Sequence, residues 1–170
     1  IDPKLTDSKI YKSGSTVSVE ALDYMGQSWS KPTLAYVNFG GEKRPVMFVG
    51  GGYEAGYEAA DYNQTTTKGG GAGIYMFDAD TGDLLWWTSA NATKALGAQA
   101  FTDASDANIN MKYSVVSQIN AVDRDNDGLV DNLYFGDLAG QGFRVDLNNL
   151  ATGTDENAKK ANFAKRVVRL

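Results

Sequence analysis

Residues 122–147, VDRDNDGLVDNLYFGDLAGQGFRVDL, combine an aspartate-rich loop with two short strand patterns. "NLYFGD" (132–137) and "GFRVDL" (142–147) are rich in β-branched and aromatic residues and are bounded by Gly, Asp or Asn, as is typical of strands. A tight "LAG" turn separates them, and a further strand pattern, "KYSVVSQINAV" (112–122), precedes the loop. The stretch therefore predicts consecutive antiparallel strands, with the aspartates in a connection between two of them.

The same order of parts occurs earlier in the chain, where a strand, a turn, a strand ending in Gly, a loop and a strand ending in Asp follow one another. The strand patterns of this first unit lie at 33–39, 44–52, 73–82 and 83–89. A unit of three or four antiparallel strands that repeats after several tens of residues is the pattern of β-propeller blades. The prediction is an all-β fold, a β-propeller fragment of about two to three blades with the aspartate loop in a β-hairpin.

The ends of the chain fit this prediction less closely. A propeller needs at least about four blades to close, so residues 1–170 are expected to be part of a single propeller domain. Residues 148–170 are interpreted as a loop plus the start of a further blade, with "KRVVRL" (165–170) as its opening strand. The alanine-rich segments 91–101 and 156–166 are short or polar enough to be interpreted as loops.

Composition restricts the possible functions. With 170 residues, 42% of them hydrophobic, the chain can bury the core of one domain. Its net charge of −5 argues against binding to a phosphate backbone, so nucleic acid is not an expected partner. No stretch of about 18 apolar residues is present, so no membrane span is expected. Cys and His are both absent, which removes thiol and imidazole chemistry, so we expect no enzymatic activity and only oxygen ligands for any metal.

The segment "DRDNDGLVD" (123–131) has the spacing of a calcium loop. Such loops place side-chain ligands at positions 1, 3 and 5, a glycine at 6 and a backbone carbonyl ligand at 7. Here those positions, and a closing carboxylate at position 9, correspond to Asp123, Asp125, Asp127, Gly128, the carbonyl of Leu129, and Asp131. Four carboxylates in nine residues would repel one another without a cation. The spacing predicts a Ca²⁺ site rather than a solvated acidic turn, and leaves open whether the ion is regulatory or only structural.

Three tryptophans are candidates for ligand platforms or for core packing. In a β-propeller, large aromatic side chains usually fill the space between blades. Trp29, Trp86 and Trp87 are therefore predicted to pack in the core.

Four segments resemble a known family: "WSKPTLAYVN" (29–38), "VMFVGGGYE" (46–54), "GIYMFDADTGDLLW" (73–86) and, most specifically, residues 122–147. They look like the C-terminal β-propeller of the PilY/PilC-type proteins associated with the tip of bacterial type IV pili. The resemblance covers most of residues 29–147.

This resemblance implies an exported protein at the pilus tip, outer membrane or cell surface of a Gram-negative bacterium. It implies a role in pilus biogenesis and cell adhesion, with calcium in the propeller controlling the balance of pilus extension and retraction. The implied partners are pilus or minor pilin components, host-surface ligands and the remaining propeller blades. The implied calcium ligands are Asp123, Asp125, Asp127, the carbonyl of Leu129, and Asp131.

Two other classes remain as alternatives. Residues 73–86 are also similar to the repeat of quinoprotein dehydrogenases, which hold pyrroloquinoline quinone (PQQ) beside calcium. Those enzymes commonly stack the quinone on a disulfide of adjacent cysteines, which this chain lacks. Integrin-like propellers carry similar aspartate loops for stability alone, but in several blades, whereas this chain has one such loop.

Overall fold

A computed structural model describes residues 9–12, 15–18, 21–61, 70–90, 99, 101 and 110–170. Within these ranges the strands are β1 (Lys9–Lys12), β2 (Ser15–Ser18), β3 (Thr33–Phe39), β4 (Glu42–Gly50), β5 (Ile74–Asp78), β6 (Leu84–Thr88), β7 (Asn120–Val122), β8 (Asn132–Gly136), β9 (Gly142–Leu147) and β10 (Ala164–Arg169). One helix, α1 (Glu156–Asn162), and two 3-10 turns, Leu22–Tyr24 and Ala55–Glu58, complete the described elements. None of the described residues forms a helix that could span a membrane.

The described strands form two four-stranded antiparallel sheets and a separate β1–β2 hairpin. The first sheet has the order β3-β4-β5-β6 and the second has the order β7-β8-β9-β10, so each strand pairs with its neighbour in sequence. This four-stranded meander is the architecture of a propeller blade. The predicted all-β fold with blade-like sheets is therefore confirmed, with two unclosed sheets in the part of the chain that the structure describes.

Local sequence explains the hairpin between β3 and β4. Phe39 pairs with Glu42, which leaves a connection of two residues between the strands. Gly40 and Gly41 form this connection with φ values of 69° and 96°. Positive φ at both positions gives the backbone twist that matches paired strands, and glycine adopts it without a steric penalty.

Aromatic side chains fill the space between the two sheets. Trp86 of β6 and Phe39 of β3 both pack on Phe163, with ring centroids 5.1 Å and 5.9 Å away. The buried Gln99 accepts a hydrogen bond from Trp86 Nε1 at 2.8 Å and donates one to the Ala164 carbonyl at 2.7 Å. This packing joins both sheets in one hydrophobic core.

The prediction of core packing is confirmed for two of the three tryptophans and wrong for the third. Trp86 and Trp87 are buried, whereas 69% of Trp29 is exposed. Trp29 lies in the segment before β3, where its ring packs on Tyr53 with the centroids 5.8 Å apart.

Residues 148–170 also differ from their prediction. The strand expected at 165–170 forms as β10, but it pairs with β9 as the fourth strand of the second sheet and does not open a third blade. Its Val167 is fully buried opposite Val145. The connection from β9 to β10 was expected to be a loop, but it includes helix α1. The Asp155 side chain caps this helix by accepting a hydrogen bond from Ala158 N at 2.9 Å. Most of the other alanine-rich segment, 91–101, lies outside the described residues.

Candidate metal centre

The aspartate loop, residues 123–131, connects β7 to β8 at one end of the second sheet. Val122 pairs with Asn132 immediately outside the loop, and Asp131 N donates to the Val122 carbonyl at 2.9 Å. On the other side, Leu147 N donates to the Asp131 carbonyl at 2.8 Å. The predicted placement of this loop in a β-hairpin is confirmed, and backbone hydrogen bonds hold its last residue, Asp131, to β7 and to β9.

Asp123 organises the turn of the loop. Its Oδ1 accepts a hydrogen bond from Asn126 N at 2.7 Å, and its Oδ2 accepts one from Gly128 N at 2.8 Å. Asn126 and Gly128 have φ values of 63° and 83°, in the left-handed region that Gly and Asn tolerate best. The sequence folds locally in this way because an aspartate at position 1 can cap the amides at positions 4 and 6.

Three of the four predicted carboxylates converge. One carboxylate oxygen from each of Asp123, Asp125 and Asp131 lies within 4.8 Å of the others. Oxygens that share a calcium ion at about 2.3–2.6 Å are separated from one another by at most about 5 Å, so these three fit a common ion.

The remaining two predicted ligands are placed differently. Asp127 is not among the three converging residues, and its Oδ1 accepts from Leu129 N at 2.8 Å. The ligand roles of Asp127 and of the Leu129 carbonyl stay predictions from the spacing of the loop.

Asp131 is oriented by two donors. Its Oδ2 accepts from Arg124 N at 2.7 Å, and its Oδ1 accepts from Asn149 Nδ2 at 3.0 Å. The aspartate spacing does not reveal Asn149, because it lies after β9 and reaches the loop only through the folded sheet.

The first sheet also contacts the loop. Val130 N donates to the Tyr36 carbonyl at 2.9 Å, and Lys43 Nζ lies 5.0 Å from the centroid of the Tyr36 ring. A Cβ atom added to Gly128 would lie 3.0 Å from Lys43 Nζ, so the ammonium group lies against the loop backbone. Lys43 offsets part of the negative charge of the aspartates, and no signal in the sequence pairs it with them.

The Asp146 carboxylate and the two arginines that contact it lie beside the loop, on the outer face of the second sheet. Asp146 pairs with Asn132 across the strands, and its carboxylate contacts both Arg144 and Arg166. Burial raises the pKa of Asp146, but hydrogen bonds and charge interactions with the two arginines outweigh it, so the pKa lies below its ordinary value of 3.8. Asp146 therefore remains an acceptor that holds two guanidinium groups next to the metal loop.

The likeness of this chain to known proteins is found among solved structures. No protein-family model matches the chain, and no curated protein matches its sequence. Among solved structures, the chain is similar to the crystal structure of the Pseudomonas aeruginosa PilY1 C-terminal domain, with 20% sequence identity and a TM-score of 0.49. The match covers 88% of this chain and 26% of that structure, so the chain spans about a quarter of its length.

Proposed function

We propose that residues 123–131 bind one Ca²⁺ ion and that this chain is a calcium-binding, non-enzymatic propeller module. The observation that carries the proposal is the convergence of Asp123, Asp125 and Asp131, since one carboxylate oxygen of each lies within 4.8 Å of the others. The hydrogen bonds that Asp123 accepts from two backbone amides hold the loop in the turn that this convergence requires.

The donor set supports calcium over other metals. Every side-chain donor is a carboxylate oxygen, which suits a hard cation, and the chain has no Cys or His to favour zinc or copper. Calcium takes six to eight oxygens in flexible geometry, so Asp127, the Leu129 carbonyl and water could complete its shell. Magnesium demands a tighter octahedron and loses its water reluctantly, so it suits this exposed loop less well.

The proposed setting is a type IV pilus-associated protein of the bacterial cell surface. The sequence resemblance of residues 29–147 to the PilY/PilC-type propeller supports this setting. Bound calcium would neutralise the aspartates and fix the hairpin between β7 and β8. The module would in this way present a calcium-dependent surface to pilus components or surface ligands, and so influence pilus extension, retraction and attachment.

Terbium luminescence tests the metal site. Tb³⁺ replaces Ca²⁺ in oxygen sites and is sensitised by nearby aromatic rings. The Tyr36 ring is near the loop, because its centroid lies 5.0 Å from Lys43 Nζ, which lies against Gly128. We expect saturable emission that calcium displaces and that Asp125→Ala abolishes. Asp80→Ala is the matched control because Asp80 lies in the exposed β5–β6 turn. Equal emission from the two variants would reject the loop as the metal site.

The pilus role needs a separate test in bacteria. The full-length protein carrying Asp125→Ala, or the Asp80→Ala control, would replace the natural copy, and surface pili and twitching motility would be measured over a range of calcium concentrations. We expect Asp125→Ala to remove the calcium dependence. Calcium binding lost with pili and motility unchanged would mean that the ion only stabilises the fold.

A further inference from the structure

A cleft of about 670 Å³ lies beside the metal loop, at the same end of the second sheet. Asp125 and Asp131 of the loop line it, together with Asn132 and Asp146. Its cationic side chains are Arg124, Arg144, Lys165 and Arg166. Four cations against three carboxylates make the lining positive overall, in a chain whose net charge is −5. The volume lies in the range of about 300–1,000 Å³ typical of small-molecule sites.

Asp146 positions two of these cations side by side. Arg166 Nε contacts its Oδ2 at 2.5 Å, while Arg144 Nε lies 2.7 Å from Oδ1 and Arg144 Nη2 donates to Oδ2 at 3.2 Å. A guanidinium group has five N–H donors, so one shared carboxylate leaves donors of both arginines for another acceptor. The arrangement is a pre-oriented receptor for an oxyanion.

Asn132 supplies an independent sign of a ligand. It is only 5% exposed, and its Nδ2 donates to Asp146 Oδ1 at 2.8 Å, which fixes the orientation of the amide. Its Oδ1 is buried and has no hydrogen-bond partner among the residues that the structure describes. Arg144 Nε is also buried and forms an ion pair with Asp146 at 2.7 Å, but it makes no aligned hydrogen bond within the described part of the chain. A buried acceptor without a donor destabilises the fold, and a hydroxyl of a ligand in the cleft would supply the missing donor.

We propose that this cleft binds a small hydroxycarboxylate of the sugar-acid class. The carboxylate would accept hydrogen bonds from Arg144 and Arg166, with Arg124 and Lys165 adding charge, and a neighbouring hydroxyl would donate to Asn132 Oδ1. A neutral sugar would leave the guanidinium groups without their anion, and a simple carboxylate would leave the Asn132 oxygen without its donor.

The position of the cleft links it to the metal loop. This part of the inference rests on the proposed function, because Asp125 and Asp131 belong both to the lining of the cleft and to the carboxylate cluster. A divalent ion on that cluster adds two positive charges at the edge of the cleft. Calcium therefore raises the affinity for the anion, and by linkage the anion raises the affinity for calcium.

Nuclear magnetic resonance of the ¹⁵N-labelled chain tests the inference. Glucuronate would be titrated with calcium removed by EGTA and again with calcium in excess, following the backbone amides and the arginine Nε–H signals. We expect shifts at Arg144, Arg166 and Asn132, and an affinity that rises about fivefold or more with calcium. Acetate should bind more weakly than glucuronate, and glucose should not bind.

Substitutions of two arginines in β10 provide the matched comparison. Arg166→Gln should weaken glucuronate binding roughly tenfold through loss of charge-assisted hydrogen bonds. Arg169→Gln removes a cation of the same strand outside the cleft and should leave binding unchanged. Their spectra would show that both variants fold.

The outcomes separate this inference from the proposed calcium site. Absence of glucuronate shifts in both calcium states, equal loss in both variants, or equal binding of glucose would overturn the sugar-acid site. Loop amides that respond to calcium while the glucuronate affinity stays constant would overturn the coupling. Loop amides that do not respond to calcium would reject the proposed function, while the calcium-free titration would still test the cleft.

Discussion

Asp123 and Gly128 show how single residues set the shape of the metal loop. Both carboxylate oxygens of Asp123 accept hydrogen bonds from backbone amides of the loop, and Gly128 adopts a φ of 83°. The aspartate spacing in the sequence indicated these residues because their interactions are local. Lys43, Asn149, Arg144 and Arg166 could not be predicted in the same way, because they reach the loop from other strands and turns only after the sheets form.

Gly128→Ala should reduce stability and also impair metal binding. An L-residue in the left-handed region costs about 1–2 kcal/mol, and the new Cβ would lie 3.0 Å from Lys43 Nζ. Gly140→Ala is the control because Gly140 has a similar φ of 78° in another turn, and no described residue lies within 4 Å of the added Cβ. Chemical denaturation should show a loss of about 1–2 kcal/mol for both variants. Calcium titration should show weakened affinity only for Gly128→Ala, and equal calcium affinity in the two variants would contradict a role for this loop.

The lowered pKa of Asp146 predicts that the free energy of unfolding of the metal-free protein depends on pH. Its pKa in the folded state is below its ordinary value of 3.8, so its ion pairs with the two arginines stabilise the fold above that pH. This contribution is lost as the pH falls from about 3.8 through the lowered folded-state pKa. Asp146→Asn should therefore destabilise the protein at neutral pH, and the difference from wild type should shrink below about pH 3.8, as measured by urea denaturation. A difference that stays constant as the pH falls would show that the carboxylate charge is not responsible.

At the level of elements, some strands could be predicted from sequence and others could not. The patterns at 33–39 and 142–147 coincide with β3 and β9, because apolar and polar residues there follow the requirements of a paired strand. The strand at 165–170 was predicted, but its partner was not, because pairing with β9 depends on the path of the chain through α1. The sequence pattern at 112–122 was longer than β7, which is only Asn120–Val122.

Phe163 should be critical for the packing of the two sheets. It is 1% exposed and contacts both Trp86 and Phe39. Phe163→Ala should reduce the free energy of unfolding by about 3–5 kcal/mol, as is usual for a large aromatic removed from a core. Leu150→Ala is the control because Leu150 is 87% exposed, and it should change stability by less than about 0.5 kcal/mol. Similar denaturation curves for the two variants would contradict the joint core.

For the whole molecule, calcium should stabilise the folded state because the ligands converge only after β7 and β8 pair. A ligand that binds only the native state at about 100 times its Kd adds about 2.7 kcal/mol of stability. The thermal midpoint should rise with calcium in wild type and stay unchanged in Asp125→Ala. Magnesium at the same concentration should raise it less. A midpoint that rises equally in the variant would mean that calcium acts elsewhere.

Isothermal titration calorimetry with calcium is the most direct test of the metal centre. It would compare wild type with Asp125→Ala and with the Asp80→Ala control, after each chain has been freed of metal by chelation. The predicted result is one calcium bound per chain in wild type and Asp80→Ala, with binding lost or greatly weakened in Asp125→Ala. A folded wild-type chain that binds no calcium, or an Asp125→Ala variant that binds it as tightly as wild type, would contradict the proposed site.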